Sequence, residues 1–240
     1  MFPDDPLKVS QLFLSLLGTR AYTYYRDRVP QDGAILVIGN HRSFMDAPLL
    51  MTAVQRPIRF ACHHYMGEVP IMREVVTKLG CFPLGSPEQR QQSFFQKAGQ
   101  LLQSQQTVGV FPEGAQPMVQ PSAPGNVGDF QRGFAHLALR APIANLAILP
   151  VAIASHQEST NSAVPLRMLS LADPSEPLFD RPGWHPMIVY QNVSVLIGRP
   201  YWIKGSQRSD YKGKQARSLV AEITHECHAE IDQLLAQGCY

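Results

Sequence analysis

Ala34-Ile35-Leu36-Val37-Ile38-Gly39 runs directly into Asn40-His41-Arg42-Ser43-Phe44-Met45-Asp46. The first six residues form a continuous apolar run, the pattern of a strand covered on both faces. The next seven open on polar groups and lead through Pro48 into Leu49-Leu50-Met51. A buried strand therefore ends, a loop begins with a histidine, and a helix follows. In open α/β sheets, sites form where strands end and helices begin. A histidine at that point, with a carboxylate five positions on, is a minimal unit for taking a proton from an alcohol. The imidazole accepts the proton, while the carboxylate fixes its tautomer and stabilises the imidazolium. These residues alone leave a plainer alternative open, in which Asp46 caps the following helix beside a surface histidine.

Outward from this stretch, further strands are predicted at 58–61, 81–84, 107–111, 146–153, 187–190 and 193–197. Helical stretches at 47–54, 70–79, 88–104 and 130–141 lie between them. The alternation predicts an α/β fold, a mainly parallel central sheet flanked by helices. Residues 115–129 and 172–186, rich in proline and glycine or in proline, read as irregular loops. Residues 7–25 read as an amphipathic N-terminal helix with tyrosines toward one end, followed by Arg26 and Arg28. Such a helix either docks at a membrane interface or packs on the core. Residues 212–237 carry Leu219, Val220, Ile223, Cys227, Ile231, Leu234 and Leu235 at helical spacing and predict a closing C-terminal helix. The expected organisation is an N-terminal amphipathic helix over 1–29 and one domain over 30–240.

Composition narrows the function classes. With 21 basic and 19 acidic residues among 240, the net charge of +2 is too balanced to point to nucleic acid. A hydrophobic share of 45% with 17% charged residues suits a folded core. No run approaches the roughly twenty apolar residues that cross a bilayer, and the N-terminus lacks the features of a signal peptide. Cys62, Cys81, Cys227 and Cys239 show no disulfide or zinc spacing, so a reduced, cytoplasmic setting is expected.

A second constellation follows the predicted strand at 107–111, where Pro112-Glu113-Gly114 again sets a carboxylate at a strand end. The glycine allows a ligand or backbone to come close. Further on lies Ile148-Leu149-Pro150-Val151-Ala152-Ile153. Taken in order, these three motifs resemble the glycerolipid acyltransferase family, which includes the glycerol-3-phosphate and lysophosphatidic acid acyltransferases. The resemblance spans about residues 30–200 and includes Arg59-Phe60, Pro70, Gly80-Cys81-Phe82 and Arg132-Gly133.

That resemblance implies transfer of a fatty acyl group from acyl-CoA or acyl carrier protein to an alcohol of a lipid acceptor, on a peripheral membrane enzyme. It implies His41 as general base and Asp46 as its orienting carboxylate. It implies acceptor binding by Glu113 and Gly114, and places Asn40, Ser43, Pro112 and Pro150 at the acyl or acceptor pocket. Beyond the acyl donor no cofactor is expected, and no metal. No serine or cysteine sits in a nucleophile-elbow setting, so direct attack by the acceptor is expected.

The chain departs from the family at two positions where a basic residue commonly serves the acceptor phosphate. Ser86 and Gln116 stand there, and neither supplies the bidentate charge of an arginine. Three readings follow. Arg42, Arg90 or Arg132 replaces the charge, and the acceptor is 1-acylglycerol-3-phosphate or a similar lysophospholipid. Alternatively, the acceptor is a lipid alcohol without a phosphate monoester. In the third, the chain is a lipid-binding protein of low turnover. Cys62-His63-His64 and His225, Cys227 and His228 lack a complete ligand set and read as loop lining and as a solvated helix face.

Overall fold

The computed structural model describes residues 5–62, 74, 76–84, 89–172 and 179–238. His63, His64, Pro70, Ser86, Cys239 and half of the predicted 70–79 helix lie outside them.

Among the described residues, eight strands form one sheet. They are β1 (Arg20–Tyr24), β2 (Ala34–Gly39), β3 (Ile58–Cys62), β4 (Phe82–Pro83), β5 (Thr107–Val110), β6 (Leu146–Pro165), β7 (Trp184–Ile197) and β8 (Tyr201–Trp202). Their order is β1-β7-β6-β2-β5-β3-β4, with β8 paired to β6. Every pairing is parallel except those of β6 with β7 and with β8. The helices are α1 (Pro6–Leu16), α2 (Asp46–Val54), α3 (Arg90–Gln103), α4 (Gln116–Val119), α5 (Gly133–Arg140), α6 (Leu166–Ala172), α7 (Gly205–Asp210) and α8 (Gly213–Gly238).

The central strand β2 is buried along its whole length. Its alternating side chains feed two cores. Ala34, Leu36 and Ile38 pack with α3, α5 and α8, while Ile35 and Val37 pack with α1 and α2. Helices thus cover both faces, as the unbroken apolar run of β2 requires. This bears out the expected mainly parallel α/β fold with an N-terminal and a C-terminal helix.

The N-terminal stretch departs from its expected form. Helix α1 ends at Leu16, and Arg20–Tyr24 is an edge strand parallel to β7. Gly18, with a φ of 69°, turns the chain between them. The predicted tyrosine belt is therefore not on the helix. Tyr22 and Tyr24 pair with Ser194 and Leu196, and Leu196 belongs to the core under α8, on the other face of the sheet from α1. Helix α1 packs on α2 through Leu14, with Ser10 donating to Met51 Sδ at 3.3 Å.

A second difference lies in β6 and β7. Two short strands were expected at 187–190 and 193–197, and β6 was expected to stop at 153. The structure instead has one long β7, and β6 runs on to Pro165. Beyond Val151, where its pairing with β2 ends, β6 continues against β7 as an antiparallel arm. Irregularities between Ser155 and Glu158 and near Ser162 bend it. Those bulges break the period-two pattern, which is why the extension was not readable. Within the predicted 115–129 loop, Gln116–Val119 forms one turn of helix. Cys227 is buried in the core and His228 is half-buried, so only His225 fits the solvated face expected for that trio.

Candidate active site

The loop after β2 is held by side chains that replace the lost strand pairing. Asn40 donates to Ile153 O at 3.0 Å and accepts from Ile153 N at 2.8 Å. Its amide thus satisfies a donor and an acceptor on β6 where β2 leaves the sheet. Ser43 Oγ donates to Ile188 O at 2.6 Å and accepts from Met45 N at 3.1 Å. Both side chains are buried and spend their polar groups on backbone.

Asp46 opens α2 and is fully buried. Its Oδ2 accepts from Arg42 N at 2.7 Å and Ser43 N at 2.8 Å, and lies 2.9 Å from His41 Nδ1. Its Oδ1 accepts from Tyr190 Oη at 3.0 Å. Asp46 is therefore not a cap for α2, whose N-cap is Met45 with no side-chain cap bond; its carboxylate closes the loop before the helix and binds the imidazole. A carboxylate has no proton to give, so the Nδ1–H donates to it, and in the neutral ring the lone pair is then on Nε2. The His41 side chain keeps 18% exposure beside a partner at 1%. The ring lies flat on Phe111, with centroids 4.0 Å apart and planes 9° off parallel. Phe111 in turn stacks on Phe60 at 5.0 Å. This arrangement can hold one imidazole face fixed and leave Nε2 to accept a proton.

Glu113 comes from the turn after β5. Its Oε1 accepts from His41 N at 2.9 Å and its Oε2 from Gly128 N at 2.7 Å. The carboxylate so ties together the histidine loop, the Pro112-Glu113-Gly114 turn and the end of the 115–129 segment. A Cβ at Gly128 would lie 2.9 Å from Glu113 Oε2, so glycine permits this approach. Gly114 adopts a φ of 74°, which lets Gln131 lie over the turn, and Gln131 N donates to Pro112 O at 2.9 Å. Arg132 follows, exposed, at the N-terminal end of α5.

Arg42 points away from its own loop and into an ion pair. Its two terminal nitrogens donate to the two carboxylate oxygens of Glu158, both at 2.8 Å, and Nε donates to Ser122 O at 2.8 Å. Burial alone would lower the basicity of this guanidinium, but the hydrogen bonds and negative charge of Glu158 outweigh it and raise it. The Glu158 carboxyl is pushed up by burial and pulled further down by Arg42, ending below its usual range.

The motif residues are thus placed unequally. His41, Asp46 and Glu113 meet at one point, with Asn40 and Ser43 as struts. Pro112 is buried beside Glu113. Pro150 lies opposite Ile38, before the histidine loop, where it lines a cavity of about 460 Å³ with Arg199, Tyr201, Cys227 and Glu230. Gln116 is exposed at the start of α4 and Arg90 opens α3. Tyr190 and Glu158 carry no signal in the sequence, Phe111 opens the Phe-Pro-Glu-Gly motif without a role of its own, and Gly128 reads only as the end of a turn. Tyr190 and Glu158 are joined to the site by distant chain. Burial pushes the Cys62 thiol up to about 11 and Cys81 up to about 12, so neither is a ready thiolate at neutral pH. Among the described residues, no three His, Cys, Asp or Glu side chains gather to hold a metal, and no helix is long and apolar enough to cross a membrane.

Comparison with known proteins gives a family and a fold. A family model described as Acyltransferase matches residues 21–154. No curated relative matches the chain. Among solved structures, the chain is similar to the crystal structure of the 1-acyl-sn-glycerophosphate (LPA) acyltransferase, PlsC, from Thermotoga maritima. The TM-score is 0.57 at 18% identity, covering 95% of this chain and 78% of that one. At that identity the likeness is one of fold.

Proposed function

The chain belongs to the Acyltransferase family, and from that premise we propose that it moves a fatty acyl group from a thioester donor to the hydroxyl of a lysophospholipid-type acceptor. The donor is acyl-CoA or acyl carrier protein, and the leading acceptor is 1-acylglycerol-3-phosphate. The observation that carries this reading is the His41 Nδ1···Asp46 Oδ2 contact of 2.9 Å at a strand end, with Nε2 left to act.

In this mechanism Nε2 takes the hydroxyl proton as the acceptor oxygen attacks the thioester carbonyl. The negative charge of Asp46 stabilises the imidazolium. Collapse of the tetrahedral intermediate breaks the C–S bond, and the imidazolium returns its proton to the departing thiolate. A positioned base of this kind contributes about 10²–10⁴-fold. Glu113 sets the backbone of the base, and Gly114 and Arg132 flank the acceptor side.

A second reading concerns the acceptor alone and is favoured by Arg42. Its guanidinium is already held by Glu158 and Ser122, and Gln116 brings no charge. An acceptor without a phosphate monoester fits those two facts.

Docking is assigned to the exposed leucines of α1. Leu12 and Leu16, one turn apart, are 38% and 74% exposed. Phe13 touches Phe44 of the histidine loop at 6.0 Å between centroids. An apolar ridge beside the base would place the enzyme peripherally on a lipid surface, with the acceptor entering from it.

The test gives purified protein labelled oleoyl-CoA or oleoyl carrier protein and a panel of 1-acylglycerol-3-phosphate, glycerol-3-phosphate, lysophospholipids and neutral lipid alcohols. Product from 1-acylglycerol-3-phosphate that vanishes in His41→Ala supports the leading reading. Product only from phosphate-free alcohols transfers the conclusion to the second. Turnover retained in a folded His41→Ala removes the mechanism.

A further inference from the structure

Tyr190 lies far from every motif in sequence and is 1% exposed. A buried tyrosine hydroxyl needs a hydrogen-bond partner, and this one donates to Asp46 Oδ1 at 3.0 Å. The contact is specific to one oxygen. The other oxygen, Oδ2, already serves His41 Nδ1 and the backbone N–H groups of Arg42 and Ser43. The tyrosine is itself fixed from two sides. Its N–H donates to Met45 Sδ at 3.3 Å, and its carbonyl accepts from Thr19 Oγ1 at 3.0 Å. Tyr190 is thus carried by the β6–β7 arm, where it pairs with Glu158, and is held there by Met45 of the histidine loop and by Thr19 before β1.

We propose that Tyr190 is a positioning residue for the base, holding the Asp46 carboxylate so that Oδ2 faces His41 and dispersing part of its charge through Oδ1. The proposal rests on the reading of His41 as general base. Burial first, and the nearby Asp46 charge second, push the Tyr190 hydroxyl well above its usual range, so it remains a donor across the working pH. The other charged groups around the pair are Arg42, paired to Glu158 from β6, and Glu113 from the turn after β5. All three keep their contacts when only the phenol oxygen is removed. Loss of that donor concentrates charge on the carboxylate. A more concentrated charge favours the imidazolium and so moves the loss of base activity to higher pH.

The experiment compares wild type, Tyr190→Phe, His41→Ala and Tyr211→Phe, with oleoyl-CoA and the first panel acceptor that yields product. Tyr211 is the control, since it loses a hydroxyl that accepts from Arg140 Nε at 3.1 Å and lies 2.7 Å from His136 Nδ1, and it touches none of these groups. For Tyr190→Phe the expected result is a fall in kcat of about tenfold, with KM within about twofold. The acid limb of kcat/KM should move up by about half a pH unit. The His41 imidazole titration, followed by nitrogen-15 NMR and identified by its absence in His41→Ala, moves the same way without any acceptor present. Tyr211→Phe moves neither. Replacing tyrosine by 3-fluorotyrosine, a stronger donor, shifts the limb to lower pH, and this measurement stands in if Tyr190→Phe does not fold. A fall in kcat without movement of limb or titration makes Tyr190 merely structural and overturns the proposal. A dead His41→Ala beside an unaltered Tyr190→Phe also overturns it and leaves the base reading intact, whereas an active His41→Ala removes the base reading first.

Discussion

Asp46→Asn isolates the charge of the pair from its shape. In the structure Oδ2 receives three donors and Oδ1 one. An asparagine with its carbonyl toward His41, Arg42 and Ser43 keeps those three contacts. Its amide then meets the Tyr190 hydroxyl, which can turn and accept. The loop should therefore hold, at a stability cost of about 1–2 kcal/mol.

Catalysis loses much more. Two unit charges about 4 Å apart interact by about 4 kcal/mol at the effective dielectric of a partly buried site. Only part of that develops as the imidazolium forms, so the loss lies at about 2.7–4 kcal/mol, or roughly 10²–10³ in rate. The loss of an orienting aspartate in a Ser–His–Asp triad, about 10⁴, is of the same kind. The assay is kcat/KM with labelled oleoyl-CoA and the acceptor found by the panel, alongside thermal unfolding and circular dichroism. A folded Asp46→Asn within tenfold of wild type would refute the reasoning, because the carboxylate would then serve only to hold the loop.

Three other outcomes follow from the same geometry. Gly109→Ala places a Cβ 2.2 Å from the Phe60 ring, so it should lower stability by about 1–3 kcal/mol. It should also tilt the stack that ends on His41, which a melting curve and kcat together would show. A double-mutant cycle on Arg42→Ala and Glu158→Ala should give a coupling of about 2 kcal/mol by denaturant unfolding, discounted for the partial exposure of Glu158. Because the folded Glu158 carboxyl sits below its usual range, its stabilising contribution is present above that range and is lost as pH falls through the folded value. Glu158→Gln should accordingly flatten the acid side of the melting-temperature profile. Leu12→Ser with Leu16→Ser should weaken sedimentation with phospholipid vesicles about tenfold or more, while leaving the melting temperature within about 2 °C.

The parts of this protein that were readable in sequence are those encoded over short distances. The apolar run of β2 specifies a strand covered on both faces, and the five-residue step from His41 to Asp46 lets one loop bring the pair together. The long α8 was readable because its apolar residues recur at helical spacing. Residues 20–24 misled because aromatic and basic residues suit an interfacial helix and an exposed edge strand equally. The β6–β7 arm was unreadable because its bulges break the alternation that marks a strand. Glu158 and Tyr190 could not be seen as site residues, since nothing local ties either to the histidine loop.

The division has a consequence for how the site works. Residues 21–154, which match the family model, contain His41, Asp46 and Glu113. The groups that engage this loop from the arm, Glu158, Ile188 and Tyr190, all lie beyond that stretch. Glu158 takes the one arginine of the histidine loop out of use, and Tyr190 fixes the second oxygen of Asp46. The proposed base and its orienting carboxylate thus come from the family stretch, while the arm holds the neighbouring arginine. Changes at Glu158 should therefore alter the choice of acceptor at constant chemistry, and changes at Tyr190 the strength of the base, whereas changes at His41 should abolish turnover with every acceptor alike.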